Sequence, residues 1–341
     1  MDRRSSVGGN HPTSKLATIG AGTMGHSIAV AAAAGGCSVT LFDVDETSLR
    51  AAREKIKMVA ETIAASNVYE ATDANEIIAR IEYVTSIEGA VEDAELIIEA
   101  VPEIRETKLA AFERIDRYAL DDAVLATNTS SLPLDDLVGS ISSPERFCGM
   151  HWFHPAHIVP VVEVVYGTHT ADETVDISCQ FLQKIGKDPV IVKRDVPGFI
   201  ANRIQSAMAR EVWTLLEEGV ASPEDIDRAV KGTFGFRLPV LGALEKADYS
   251  GLDIHHTVLK ELLPDIDRGT SPPDILSALV EEGRFGVKSG CGVYNWNDAD
   301  LETLIEERDQ RLLDLLDVYQ TARSASTSQE AVDLELFQRR S

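Results

Sequence analysis

Two hydrophobic rhythms alternate through the first two hundred residues of the chain. Short apolar runs stand at Leu16–Ile19, Ser38–Phe42, Leu96–Ala100 and Val124–Thr127. Each is short and continuous, as expected of a strand buried on both faces. Between them the pattern turns helical. An Ala-rich segment runs to Gly35-Gly36, residues 46–80 are charged with a helical period, and Glu106–Leu120 repeats that period. Further strand candidates follow at Phe147–His151, Val161–Val165 and Val190–Val192. Strands alternating with helices predict an α/β domain with a doubly wound, mostly parallel sheet.

The character changes at Asp195-Val-Pro-Gly198, a Pro-Gly pair suited to a domain junction. Beyond it helical patterns dominate, at Ile200–Glu218, Pro223–Lys231, Leu252–Leu263 and Pro273–Glu282. A last helix is expected over Asp300–Tyr319, with Leu301, Leu304, Ile305, Leu312, Leu315 and Leu316 near one face. The predicted organisation is a disordered tail (1–14), an α/β domain (15–194), an all-α domain (195–298), and a C-terminal helix with a polar end (299–341).

At 341 residues and 44% hydrophobic, the chain has enough apolar material for two cores. No uncharged apolar stretch reaches the length of a membrane span, and the N-terminus lacks the apolar core of a secretory signal. The expectation is a soluble, cytoplasmic protein. Four scattered cysteines fit reduced, mostly buried thiols. The formal net charge of −24 argues against nucleic acid and anionic membranes as partners. Lysine is scarce, 11 against 21 arginines, while acidic residues number 56, a balance that fits a salt-adapted surface.

Directly after the first strand comes Gly20-Ala21-Gly22-Thr23-Met24-Gly25. A lone G-x-G-x-x-G is a weak signal. Here a strand precedes it, a helix follows, and Asp43 ends the next strand, which is the setting of a Rossmann dinucleotide site. Gly20 permits the tight turn, Gly22 lets the backbone approach a pyrophosphate, and Gly25 lets helix and sheet pack closely. The helix N-terminus offers free N–H groups to phosphate. Asp43 can accept from ribose hydroxyls and would repel a 2′-phosphate, so the expected cofactor is NAD rather than NADP. The bland alternative is a glycine turn in an α/β protein that binds no nucleotide.

Three later segments carry polar residues where a packed core would not want them. Asn128-Thr-Ser130-Ser131 follows a buried strand at the edge where α/β sheets bind ligands, although taken alone it reads better as a turn or cap. Glu163 interrupts the apolar run Val161–Val165, and a buried carboxylate needs a partner. His151 is the natural one. A His–Glu pair suits a general base, with a structural ion pair as the alternative. Asn202, early in an apolar helix after Pro197-Gly-Phe-Ile-Ala, could bond a substrate carbonyl or serve as a local cap. His151, His154 and His157 have an H-x-x-H-x-x-H spacing, but Pro155 breaks any single helix carrying all three, so no metal is expected.

Together these residues resemble the L-3-hydroxyacyl-CoA dehydrogenase family over about residues 15–296. The likeness covers the glycine loop, Asn128–Ser131, His151 with Glu163, Pro197–Asn202, and Gly286-Val-Lys-Ser-Gly-Cys-Gly-Val-Tyr294. It implies that His151 takes the hydroxyl proton while hydride passes to the nicotinamide. Glu163 would orient His151, Ser130 would bond the reacting oxygen, and Asn202 would position the substrate. Asn128, Glu103, Lys108 and Lys288 match positions near the cofactor. The helical C-terminal domain would form a homodimer. Two departures stand out. His154 occupies the place of an asparagine that lies near the nicotinamide. The stretch Met58–Ser66 has no cation where CoA-acting members often have lysines to meet phosphate. The segment His151–Val165 looks closer to branches acting on gulonate, carnitine or pyridine alcohols.

The leading expectation is therefore an NAD-dependent oxidoreductase acting on the alcohol carbon of a 3-hydroxyacyl-CoA or small hydroxy acid. The family's namesake reaction supplies the class label. A free hydroxy acid or alcohol is the close rival. From another class, a non-catalytic NAD-binding sensor is the alternative, and the full set of Ser130, His151, Glu163 and Asn202 argues against it.

Overall fold

The computed structural model describes residues 13–66 and 73–325. The expectations for the N-terminal tail and for the polar end beyond 325 lie almost wholly outside the described residues. Eight strands form one sheet: β1 Lys15–Ile19, β2 Ser38–Phe42, β3 Ile81–Val84, β4 Leu96–Glu99, β5 Val124–Thr127, β6 Phe147–Trp152, β7 Val161–Val165 and β8 Asp188–Val192. Their order is β3-β2-β1-β4-β5-β6-β7-β8. All pairings are parallel except β6 with β7. This is the expected doubly wound sheet, with its switch point between β1 and β4.

The antiparallel step has a simple cause. Eight residues separate β6 from β7, too few for a parallel crossover with its helix. The strand β3 escapes the hydrophobic pattern because it lies at the sheet edge, is four residues long, and buries only Ile81 fully. The helix Asp172–Lys184 also goes beyond the sequence expectation, although its buried Thr174, Val175, Ser178, Phe181 and Leu182 carry the helical period.

The Ala-rich segment is the helix Thr23–Ala34, and every residue from Gly25 to Ala33 is buried. Small side chains let it lie close on the sheet. One face of the core gathers Ile28, Val30, Ile56, Leu96, Ile98 and Met150, and the other gathers Ile19, Ile97, Phe112, Ile115, Leu125 and Phe147.

Contacts divide the chain into a first unit ending at Ser206 and a second beginning at Ala207. Among its described residues the second is helical apart from turns and two isolated β-bridges at Gly286, Cys291 and Asn295, with helices including Pro223–Gly232, Leu252–Leu262, Asp274–Glu281 and Leu301–Ala325. The last helix is longer than the expected Asp300–Tyr319. Among its described side chains Asp309, Leu313 and Leu316 are buried, whereas Leu301, Ile305 and Leu315 are exposed. Among the described residues, no helix is long and apolar enough to cross a membrane.

Candidate active site

The carboxyl ends of β1, β4, β5 and β6 open on a cleft of about 910 Å³. Gly20, Gly22, Thr23, Met24 and Asp43 line one part of it, and Glu103, Lys108, Asn128, Ser130 and His151 line another. Sequence positions more than a hundred residues apart thus meet in one crevice.

The glycine loop is built for close approach. Gly20 takes φ +107°, and a Cβ there would meet the carbonyl of Ala100. A side chain on Gly25 would run into the carbonyl of Gly20, so this helix can start so near the loop only with glycine. Gly22, the N-cap of the helix, has open space where its Cβ would be. That cradle fits a pyrophosphate resting on the helix N-terminus. Asp43 Oδ2 accepts from the amide of Ala21 at 2.8 Å, so the acid that ends β2 also pins the loop. The residues present fit a dinucleotide.

A buried ionic cluster stands beneath Ser130. Lys108 Nζ donates to Glu99 at 2.7 and 2.9 Å and pairs with Glu103 at 3.2 Å. Thr127, register partner of Glu99, adds a bond from its hydroxyl at 2.7 Å. Burial raises the Glu99 carboxyl above its usual range, with Lys108 pulling the other way. Glu103 is also penalised by burial, but the hydroxyl of Thr129, the Lys108 ammonium and the Ser130 amide outweigh that and hold it at about 2. One oxygen of Glu103, Oε1, accepts from Thr129 Oγ1, Ser130 N and Ser131 N at 2.6, 2.8 and 3.1 Å. Lys108 and Glu103 are therefore tied into the fold, where they order the Ser130 turn. Sequence reasoning passed over Glu99, although an acid in an apolar strand was the signal that drew attention to Glu163.

His151 and Glu163 are register partners across β6 and β7, so their side chains share a face. Glu163 Oε2 lies 2.7 Å from His151 Nδ1, and both residues are buried. Glu163 Oε1 accepts from the amides of Ile200 and Ala201 at 3.0 and 2.9 Å. A turn with Gly198 at φ +76° and Phe199 at φ +48° aims those amides. Such a nest holds an anion. Burial alone would raise the Glu163 carboxyl, but the His151 bond and these amides carry it below its ordinary value. Phe153 and Phe199 flank the imidazole, with ring centroids at 4.5 and 5.4 Å. Asn128 Oδ1 accepts from the Trp152 amide at 2.9 Å, which stitches the end of β5 to the residue beside His151.

The other predicted positions are placed less centrally. Asn202 is half-buried, directly after Ala201, and is not among the cleft-lining residues. His154 is exposed, before a cis bond to Pro155. Burial lowers the His26 imidazole below its usual value, and Lys55 and His154 add smaller pushes in that direction. Lys288 is exposed and belongs to the second unit. The three spaced histidines part company: His151 faces Glu163, His157 faces Ser27, and His154 faces outward. Among the described residues, no group of three or more His, Cys, Asp or Glu side chains could hold a metal.

Residues 15–196 match the sequence profile of the 3-hydroxyacyl-CoA dehydrogenase NAD binding domain, and residues 198–296 match that family's C-terminal domain. The chain belongs to the 3-hydroxyacyl-CoA dehydrogenase family. It is an NAD-dependent dehydrogenase. Within the family it is similar to the 5-formyl-3-hydroxy-2-methylpyridine 4-carboxylate 5-dehydrogenase of Mesorhizobium japonicum, 36% identical over 298 residues, which are 87% of this chain and 96% of that protein. A crystal structure of an enzyme of that activity, described as an NAD+ dependent dismutase, superposes with a TM-score of 0.82 at 34% identity, covering 90% of this chain and 99% of that one. The probable 3-hydroxybutyryl-CoA dehydrogenase of Bacillus subtilis is 34% identical over 285 residues, 83% of this chain and 98% of that protein. The (S)-3-hydroxybutyryl-CoA dehydrogenase structure from Ralstonia eutropha gives a TM-score of 0.68 at 31% identity, covering 83% of this chain and 99% of that one.

Proposed function

We propose that this dehydrogenase oxidises the alcohol carbon of a hydroxy acid, free or as its acyl-CoA, with His151 as the general base. The observation that carries this reading is the His151 Nδ1–Glu163 Oε2 bond at 2.7 Å, made by a residue that lines the cleft. With Nδ1 engaged, the other ring nitrogen, Nε2, is the one left to take a hydroxyl proton. NAD, with its pyrophosphate on the glycine loop, would supply the hydride acceptor in its nicotinamide ring. Glu163 fixes the imidazole's orientation and stabilises its protonated form. Ser130, ordered by Glu103, bonds the reacting oxygen. Asn202 positions the substrate, and Asn128, His154 and Lys288 serve the cofactor side. Residues 15–194 act as the cofactor domain and 195–298 as the substrate and dimerisation domain.

A free acid or alcohol has its own support. The cation-free stretch Met58–Ser66 offers nothing to CoA phosphates, and the pyridine-carboxylate enzyme is the relative with the higher TM-score of the two structures above. Turnover of 3-hydroxybutyryl-CoA beside free 3-hydroxybutyrate and sugar acids, read as NAD reduction, separates the two. Absence of turnover with every CoA ester would remove the acyl-CoA substrate.

The helical unit would make a homodimer in the cytoplasm. Phe236, Leu244 and Tyr249 are 78%, 85% and 74% exposed, a large apolar surface for a lone chain. Light scattering should give twice the chain mass of 37.1 kDa. A salt-adapted enzyme would also lose activity when salt is withdrawn.

A further inference from the structure

A second buried polar group lies outside the cleft and outside the chemistry above. Ser27, His157 and Lys187 are 1%, 4% and 3% exposed. Ser27 sits in the helix Thr23–Ala34, one turn past Gly22. His157 sits in the connection between β6 and β7, and Lys187 immediately precedes β8. The Ser27 hydroxyl accepts the backbone amide of His157 at 3.2 Å and lies 2.9 Å from its ring Nδ1. One hydroxyl thus engages both the main chain and the ring of the same residue. From the far side, Lys187 Nζ donates to the carbonyls of His157 and Val159 at 3.2 and 2.9 Å. Among the described residues, no carboxylate pairs with that amine, and burial pushes it down to about 7.

Such a group is costly. Three polar side chains are withdrawn from water where apolar ones would pack without penalty. Serine is also a poorer helix former than alanine, and Ser27 stands within a helix whose later positions are mostly alanine. What the network joins explains its presence. The helix at one end is the one whose N-terminus would take the cofactor's pyrophosphate. The β6–β7 connection at the other has His151 before it and Glu163 after it. Hydride and proton leave neighbouring atoms of one substrate, so the two acceptors must keep a fixed spacing, and small misplacements cost large factors in rate.

We propose that Ser27, His157 and Lys187 form a positioning clasp that locks the β6–β7 connection onto the cofactor helix and so sets His151 against the nicotinamide. None of the three is among the cleft-lining residues. The clasp rests on the reading of His151 as base, and its tests are chosen to be separable from that reading.

The variants are Ser27→Ala, which favours the helix, His157→Leu, which removes the ring nitrogens, and His157→Asn, which returns a polar group near the Nδ1 position. Turnover is read with 3-hydroxybutyryl-CoA and free 3-hydroxybutyrate, NAD affinity by calorimetry, and amide exchange over residues 153–160 by mass spectrometry. Ser27→Ala and His157→Leu should lower kcat at least tenfold and speed exchange over 153–160, with the Kd for NAD within threefold of the parent. His157→Asn should return kcat to within about threefold. The double variant Ser27→Ala/His157→Leu should fall no further than His157→Leu, because both break one bond network. A His157→Leu protein with unchanged kcat or unchanged exchange would overturn the clasp. So would a loss that asparagine does not restore, or one that tracks NAD affinity. His151→Gln measured alongside tests the base itself: persisting turnover there would sink that assignment, while exchange over 153–160 still reports on the clasp.

Discussion

Glu163 holds His151 by one carboxylate oxygen, at 2.7 Å, and spends the other on the amides of Ile200 and Ala201. His151 is therefore oriented by an acid that is itself anchored to the start of the helix Ala201–Glu217. Replacing Glu163 with Gln keeps the size but removes the charge that stabilises the imidazolium. A fall in kcat of about 10²–10⁴-fold is expected, with little change in NAD affinity. His151→Gln should abolish turnover and leave calorimetric NAD binding nearly intact.

The buried cluster under Ser130 predicts a stability effect. Lys108→Met would strand Glu99 without its cation, at a cost of about 3–5 kcal/mol in urea unfolding. Adding Glu99→Gln to that variant should recover much of the loss, because the orphaned charge is gone. If Lys108→Met unfolds at the parent midpoint, the ion pair does not contribute as its geometry implies.

Glu103 makes the acid side of the stability curve testable. Its folded pKa of about 2 lies below the ordinary 4.5. A carboxyl depressed in this way contributes stability that is fully present above about pH 4.5 and is lost as pH falls toward 2. Glu103→Gln should flatten the curve in that window and leave the slope unchanged above it. The same variant should loosen the Ser130 turn and lower kcat.

The glycine loop allows fold and cofactor binding to be separated. Gly22→Ala meets open space, so the folded chain should keep its thermal midpoint while NAD affinity falls at least tenfold, about 1.4 kcal/mol. Gly25→Ala should instead damage both, since its new carbon would meet the Gly20 carbonyl. Equal NAD affinity in Gly22→Ala and the parent would mean that the phosphates do not rest there.

Much of this protein is legible in one dimension. Hydrophobic period alone separates the α/β half from the helical half, because strand and helix faces repeat at different intervals. The sites of Gly20, Gly22, Gly25 and Asp43 are equally readable, since a phosphate-binding turn imposes local requirements that neighbouring residues must meet. Glu163 announces itself as a charge in an apolar strand. What the pattern could not yield is distance. His151 and Glu163 meet because the β6–β7 register sets them opposite each other, and a slip of one residue would turn them to opposite faces. Glu99 reaches Lys108 and Thr127 only when three separate elements pack, and the carboxylate nest at Ile200 and Ala201 exists only through the left-handed turn at Gly198 and Phe199. Sequence by itself determined the elements and the residue types that chemistry needs. Tertiary structure decided which of those residues touch, because burial and register, not spacing along the chain, set the partner of each buried charge.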